Sequence, residues 1–206
     1  MLTNTQREKR ILWTQEHLDD NWEQTFFSDE TAFMLFRNTV KRWHKGERPV
    51  RRMPKDRTKV FAWGGFCIEG KLDLFCFTET MNAEFYVNIL RNNVLGIERL
   101  LGDEWRFQQD NDPKHTSRLA KAFLKDNVPE VLDWPSYSQD LNPIENLWSI
   151  VKGNVEKQMP KNVNELKCYM AEKWRDIPKS TLISLVRLMR HRCELVIQAN
   201  GEHISY

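Results

Sequence analysis

The sequence predicts an α/β domain: a mixed five-stranded sheet flanked by helices, with extra helices at the C-terminus. Three observations carry this expectation. Short apolar runs crowd the first third of the chain, at 25–36, 60–68 and 72–77. From residue 82 apolar residues recur at helical spacing, interrupted by two further short runs at 105–109 and 131–134. Beyond residue 142 the period stays helical. An antiparallel meander followed by strand–helix units makes a mixed sheet with helices on its faces.

The elements follow in order. The first twenty residues read as an amphipathic helix with Ile11, Leu12, Leu18 and Trp22 near one side. Thr25 to Asp29 is a short apolar strand ending in an acid, and Glu30 to Phe36 is a second strand continuing it. Val60 to Ile68 is nearly all apolar around Gly64-Gly65, and Glu69-Gly70 suits a hairpin turn into Leu72–Phe77. Phe85, Tyr86, Ile89, Leu90 and Val94 mark a helix, and Trp105 to Gln109 a strand running into Asp110. Leu119, Ala120, Phe123 and Leu124 mark the next helix, and Val131 to Trp134 the last strand. A helix opens at Asn142 with the stripe Ile144, Leu147, Trp148, Val151 and Val155. Two more come after it: one opening on a capping-box pattern, Asn162 to Glu165, and one carrying Leu182, Leu185, Val186, Met189, Cys193 and Val196.

Composition narrows the class. The chain has 206 residues, 40% hydrophobic and 29% charged, with 8 Gly and 8 Pro, which excludes a disordered or collagen-like chain. No apolar run approaches the length of a membrane span, and the N-terminus has no signal-peptide core. The four cysteines (Cys67, Cys76, Cys168, Cys193) fall at no metal-ligand spacing; Cys67 and Cys76 are expected on adjacent strands as buried small hydrophobes. The net charge of +2 hides an asymmetry. Residues 41–59 hold Lys41, Arg42, Lys45, Arg48, Arg51, Arg52, Lys55, Arg57 and Lys59 against Glu47 and Asp56, a segment of +7 that leaves −5 on the rest. It reads as a loop that dominates any attraction to a polyanion.

Three acids stand where chemistry can use them. Asp29 and Asp110 each end an apolar strand, and Glu145 lies in the first turn of a helix. Neighbouring strands would set Asp29 beside Asp110, and the helix would bring Glu145 to the same rim. Converging carboxylates repel, and hard divalent cations such as Mg²⁺ or Mn²⁺ relieve that repulsion. Two such ions suit in-line attack at phosphorus. Each acid also has a plainer reading. Asp29 can be a turn residue, and Asp110-Asn111-Asp112-Pro113 is a good turn with Asp112 capping the next helix. Asn142, Pro143 and Glu145 can be N-cap, N1 and N3 of a capping box.

At this point the sequence resembles the catalytic domain of mariner-superfamily transposases, the DDE superfamily endonucleases. The segments that carry the resemblance are Phe27-Ser28-Asp29-Glu30-Thr31, Ala62-Trp63-Gly64-Gly65-Phe66, the run from Phe107-Gln108-Gln109-Asp110 to Lys114-His115-Thr116-Ser117, Leu132-Asp133-Trp134-Pro135-Ser136, and Ser138-Gln139-Asp140-Leu141-Asn142-Pro143-Ile144-Glu145-Asn146-Leu147-Trp148. Thirty-four residues separate Asp110 from Glu145, the spacing of one main branch of the family. The resemblance implies an RNase H-like fold. It implies Asp29, Asp110 and Glu145 as a triad holding two Mg²⁺ ions (Mn²⁺ can substitute), with DNA cleavage and strand transfer that pass through no covalent enzyme intermediate. Asp112 lies outside the triad, and His115 receives no metal role; a hydrogen-bonded structural residue or a phosphate contact suits it. DNA ends and target are the implied partners, a homodimer the implied active assembly, and the nucleus (the cytoplasm, in a bacterium) the implied location.

Two departures accompany the resemblance. Many relatives carry three glycines before the Trp-Gly pair, where Arg57-Thr58-Lys59-Val60-Phe61 stands here. Relatives also bind their element ends through N-terminal helix-turn-helix domains, for which the 28 residues before Asp29 leave no room. The expected division is an N-terminal helix or linker remnant over 1–24 and the catalytic domain over 25–206, with a basic insertion at 37–59. The expectation is a fragment, a truncated copy or a domesticated domain that does not recognise terminal repeats by itself. The 41–59 cations, with Lys114 and His115, are candidate DNA contacts of the sequence-independent, salt-sensitive kind. Two other readings compete. An aspartate-based phosphatase would use Asp110 covalently but expects Thr or Val where Lys114 stands. A non-enzymatic fragment would bind DNA or a protein partner without turnover.

Overall fold

A computed structural model describes residues 2–35 and 58–205. Its centre is β1 (Thr25–Met34), the two expected strands fused into one. β2 (Lys59–Phe66) pairs antiparallel with β1, and β3 (Phe75–Phe77) antiparallel with β2. On the other flank β4 (Arg106–Gln108) and β5 (Glu130–Val131) run parallel, giving the order β3-β2-β1-β4-β5. The mixed sheet with flanking helices is the predicted fold class.

Period-two alternation explains why apolar runs serve this sheet. Phe26 and Phe27 are adjacent, point to opposite faces, and are both fully buried. Phe26 joins Trp63 and Phe107 in a core under α2 (Ala83–Leu101) and α3 (Arg118–Asn127). Phe27 joins Phe66 and Val60 in a larger core under α4 (Ile144–Gln158) and α5 (Val163–Arg175), which α6 (Lys179–Arg187) and α7 (Met189–Gln198) extend. With both faces covered, neither needs a polar side. Gly64 and Gly65 let the layers approach: a Cβ on Gly65 would stand 2.2 Å from the Phe26 ring, and one on Gly64 2.9 Å from Trp148.

Several boundaries differ from the sequence reading. β3 is three residues long, preceded by a single Phe66–Lys71 bridge that closes the Glu69-Gly70 turn. β5 lies at 130–131, not 131–134. The expected single C-terminal helix is two, α6 and α7, meeting at Leu188. The Leu188 N–H still reaches Ser184 O and the Arg192 N–H reaches Leu188 O, so the apolar stripe runs through the junction unbroken and reads as one helix.

The first helix, α1 (Asn4–Glu16), packs against α7 through a different face from the one expected. Leu12 is 65% exposed, whereas Arg10, Trp13 and Thr14 are buried. An apolar count misses this face because two of its members are polar and internally satisfied; the Thr14 hydroxyl donates to Arg10 O. Trp22 is buried in a 3-10 turn, stacked on Phe27. Cys67 is buried one residue past β2, Cys76 is half-buried on β3, and all four cysteines are free. Among the described residues no helix is long and apolar enough to cross a membrane.

Candidate active site

The parallel pairing of β1 and β4 sets the site. Phe27 stands opposite Gln108, so two residues further on Asp29 comes level with Asp110. Asp29 does not end a strand as expected but lies midway along β1, which pairs with β2 as far as Met34, and Asp110 lies two residues past the end of β4. Ser28 pins that end: its N–H donates to Gln108 Oε1 (3.2 Å) and its hydroxyl to Gln108 O (2.8 Å). β4 ends at Gln108, and Asp110 then turns over itself, its Oδ1 accepting the Asp112 N–H at 3.0 Å.

α4 brings the third acid. Asn142 Nδ2 donates to Ser28 O at 3.4 Å, holding the helix start against β1. Trp148 Nε1 donates to Asp29 Oδ2 at 3.1 Å, three residues along the helix from Glu145. The expected capping box is not formed. Pro143 occupies the cap position without a side-chain cap bond, and Asn142 Oδ1 accepts only a long bond from the Ile144 N–H (3.4 Å). Pro143 has no N–H to offer a box. The Glu145 carboxylate thus stays out of the capping geometry.

Electrostatics tie the three together. Burial pushes the Asp29 carboxyl well above the ordinary range, and the negative charges of Glu30, Glu145 and Asp110 push it further. Burial also raises Glu145, with Lys152 opposing. For Asp110 burial acts upward too, but hydrogen bonds from His115 and the Asp112 N–H outweigh it and lower the group.

His115 is nearly fully buried, with both ring nitrogens engaged: Nδ1 to Asp110 Oδ1 (2.6 Å) and Nε2 to Glu30 Oε1 (2.8 Å). Burial disfavours its charge, yet the two carboxylates win and hold the imidazole at about 9. Its ring lies 4.1 Å from that of Tyr86, whose hydroxyl donates to Gln109 Oε1 at 2.5 Å. Lys114 pairs with Asp112 at 2.8 Å and lies 3.8 Å from Glu30. The structure therefore places His115 in a hydrogen-bonded environment. Of the basic candidates, Lys59 is exposed at the start of β2; Lys41, Arg42, Lys45, Arg48, Arg51, Arg52, Lys55 and Arg57 lie outside the described residues.

Sequence reasoning missed Glu30 and Trp148. Strand alternation puts Glu30 on the face opposite Asp29, toward His115, and Trp148 shares a helix face with Glu145 by its three-residue spacing; both signals were available. Carboxylate oxygens from the middle of β1, the turn after β4 and the first turn of α4 are a donor set for a hard cation. Among the described residues, no three such side chains already stand at cation-cage spacing.

Comparison with known proteins agrees with this architecture. The model of the DDE superfamily endonuclease family matches residues 24–167. The chain is 32% identical to the Tcb2 transposase of Caenorhabditis briggsae, over all of this chain and 80% of that protein. It is 33% identical to the Tc3 transposase of Caenorhabditis elegans, over all of this chain and 65% of that protein. Among solved structures, the Mos1 transposase paired-end complex with left transposon end superposes with a TM-score of 0.87 at 20% identity, covering all of this chain and 65% of that one. The catalytic domain of Mos1 mariner transposase gives 0.80 at 19% identity, over all of this chain and 98% of that one. The five-stranded sheet is thus the RNase H-like sheet of these catalytic domains, and the chain belongs to the DDE superfamily endonucleases as a mariner-superfamily transposase catalytic domain.

Proposed function

We propose that the chain hydrolyses DNA phosphodiester bonds at element ends and joins the freed 3′-hydroxyl end to target DNA, the hydroxyl attacking a target phosphorus as the target strand's own 3′-oxygen leaves, with Asp29, Asp110 and Glu145 as the catalytic metal ligands. The observation that carries this reading is the parallel register that sets Asp29 beside Asp110, with Glu145 close enough to add to the upward pressure on the Asp29 carboxyl. Like charges gathered at one rim, two of them half-buried, are most simply stabilised by positive charge, and all-oxygen donors favour Mg²⁺ or Mn²⁺, two per site. Solved Mos1 catalytic-domain structures with Mn and with Mg are among the structural relatives. Bound there, the ions would activate water or a 3′-hydroxyl and stabilise the leaving oxygen.

The chain's own residues prepare that site. Trp148 fixes one oxygen of Asp29, and His115 fixes one oxygen of Asp110 while its second nitrogen holds Glu30 on the far side. Each acid keeps an oxygen for a ligand, and His115 leaves the cluster less negative without competing from solvent. Since the three acids are not at cage spacing, a change of rotamer at Glu145, whose carboxylate no cap bond holds, is the movement that would bring the set together.

The partner is DNA, contacted by the 41–59 cations and Lys114, in a homodimer acting in the nucleus. The paired-end Mos1 complexes and the nematode relatives support this part. The division into a 1–24 segment and a 25–206 catalytic domain belongs to the same reading.

The test is nicking of supercoiled plasmid at low salt with Mg²⁺ or Mn²⁺, with a chelator as control. Wild type should nick only with metal, and Asp110→Asn and Glu145→Gln should each lose roughly 100-fold or more in rate. Nicking that persists in both variants sinks the assignment.

A further inference from the structure

Two buried arginines outside the carboxylate cluster converge on the loop that launches α4. Arg10, in α1, is fully buried. Its Nε donates to Gly201 O at 2.9 Å. Nη1 donates to Tyr137 O (3.1 Å), Ser138 Oγ (2.7 Å) and Asp140 Oδ1 (2.9 Å). Nη2 donates to Asp140 Oδ2 (2.6 Å) and Glu202 O (3.3 Å). The two-pronged pairing fixes the plane of the Asp140 carboxylate as well as its place. That carboxylate also accepts the Ile204 N–H at 2.9 Å.

Arg192, in α7, is also buried and takes the next two steps toward Glu145. Its Nη1 donates to Asp140 O (3.1 Å) and its Nη2 to Asn146 Oδ1 (2.6 Å). Asn146 directly follows Glu145, so one guanidinium spans the turn from Asp140 to the first turn of α4. The tail that supplies Gly201 O must pass close to α1: Gly201 has φ +78°, and a Cβ there would stand 2.5 Å from Arg7 O.

The loop makes local turns of its own, Leu141 N–H to Ser138 O (3.1 Å) and Asn142 N–H to Gln139 O (3.0 Å), and Asn142 ties its end to Ser28 O, while the two arginines join it to α1, α7 and the tail. Tyr137 is left-handed at φ 59°, and α4 starts without a side-chain cap bond. A buried ion pair is a poor way to gain stability, because apolar residues of the same volume often do as well. It is a good way to select one geometry. We infer that Arg10, acting through Asp140, is a positioning residue for Glu145, with Arg192 completing the clamp. The inference rests on the proposed role of Glu145 as a metal ligand. It makes the first helix and the last turn of the chain, both outside the segment the family model matches, part of what sets the third acid.

Arg10→Lys tests it, since lysine keeps the charge and loses the fork. Asp140→Asn serves if that variant does not fold. Leu90→Val, in the opposite core, controls for lost stability. Mn²⁺ affinity is measured by calorimetry on the whole chain, beside the Mn²⁺ dependence of nicking. Arg10→Lys should bind Mn²⁺ at least tenfold more weakly and need correspondingly more Mn²⁺ for half-maximal nicking. Its rate at saturating Mn²⁺ should return to within a few-fold of wild type, and Leu90→Val should bind Mn²⁺ as wild type does. On a Glu145→Gln background, Arg10→Lys should weaken Mn²⁺ no further. Unchanged affinity in Arg10→Lys, an equal loss in Leu90→Val, or an additive loss on the Glu145→Gln background would overturn the inference. Wild type and Glu145→Gln binding Mn²⁺ alike would remove the role of Glu145 itself, a failure visible before any arginine is changed.

Discussion

Trp148 does two jobs with one ring. Its face stacks on Trp174 with centroids 5.0 Å apart, filling the larger core, while its Nε1 holds Asp29. Trp148→Phe keeps an aromatic face and deletes the donor. It should cost about 1–3 kcal/mol in urea unfolding, the range for leaving a buried hydrogen-bond partner unsatisfied, and weaken Mn²⁺ binding. Trp174→Phe is the matched control: its Nε1 donates to Leu72 O instead, so it should cost stability but leave Mn²⁺ affinity alone. At this scale the sequence was legible where chemistry and position coincide. Asp29, Asp110 and Glu145 could be named as candidates from an acid after each apolar run and one at a helix start, although β1 continues past Asp29 to Met34. Arg10 could not, because a buried arginine is explained only by partners 127 to 192 residues away. The capping reading of Glu145 failed for a related reason: the neighbours that hold α4 come from α7 and β1, not from the local sequence.

At the scale of elements, the strand pair β1–β2 is fixed by the absence of side chains. Gly65 pairs with Ser28 and faces the Phe26 ring, which is itself buried among Trp63 and Phe107. Gly65→Ala has no room to relax into. It should lose about 2–3 kcal/mol and melt roughly 5–10 °C lower, as read by circular dichroism. A melting point within a degree of wild type would mean that Phe26 moves aside at little cost. Strand identities were legible here because both faces are buried, so apolar runs stand out against turns. Their lengths were not. β3 and β5 sit at the sheet edges, where pairing with one neighbour, not hydrophobicity, decides how far a strand extends. The seam between α6 and α7 was hidden for the opposite reason, since its apolar stripe never breaks.

Across the whole molecule, titrating groups pull stability in opposite directions. Asp29 and Glu145 are raised by burial, so their folded forms bind protons more readily than the unfolded chain and their ionisation penalises the fold as pH rises. His115, held at about 9, contributes stability that is complete below its unfolded value near 6.5 and lost as pH climbs through 9. Asp140 is the reverse case. Burial would raise it, but Arg10 and the Ile204 N–H lower it, so its contribution is present above its unfolded value near 3.8 and lost as pH falls below that. Metal-free stability should therefore peak in mildly acidic solution, decline toward pH 9, and fall steeply below pH 4. Asp29→Asn should be more stable than wild type at pH 7.5, with the advantage shrinking toward pH 5. Urea midpoints across that range check both, and a wild-type curve still rising at pH 9 would contradict them.

The sheet is unevenly sewn. β1 meets β2 along eight paired residues but meets β4 along three, with the Ser28–Gln108 bonds as reinforcement. The short parallel seam stops two residues before Asp29 and Asp110, so the level at which the two acids face each other depends on only three paired residues and the Ser28 bonds. The spacing of the acids is therefore held by far fewer bonds than the sheet as a whole, and metal affinity should fall with temperature before the circular-dichroism transition begins.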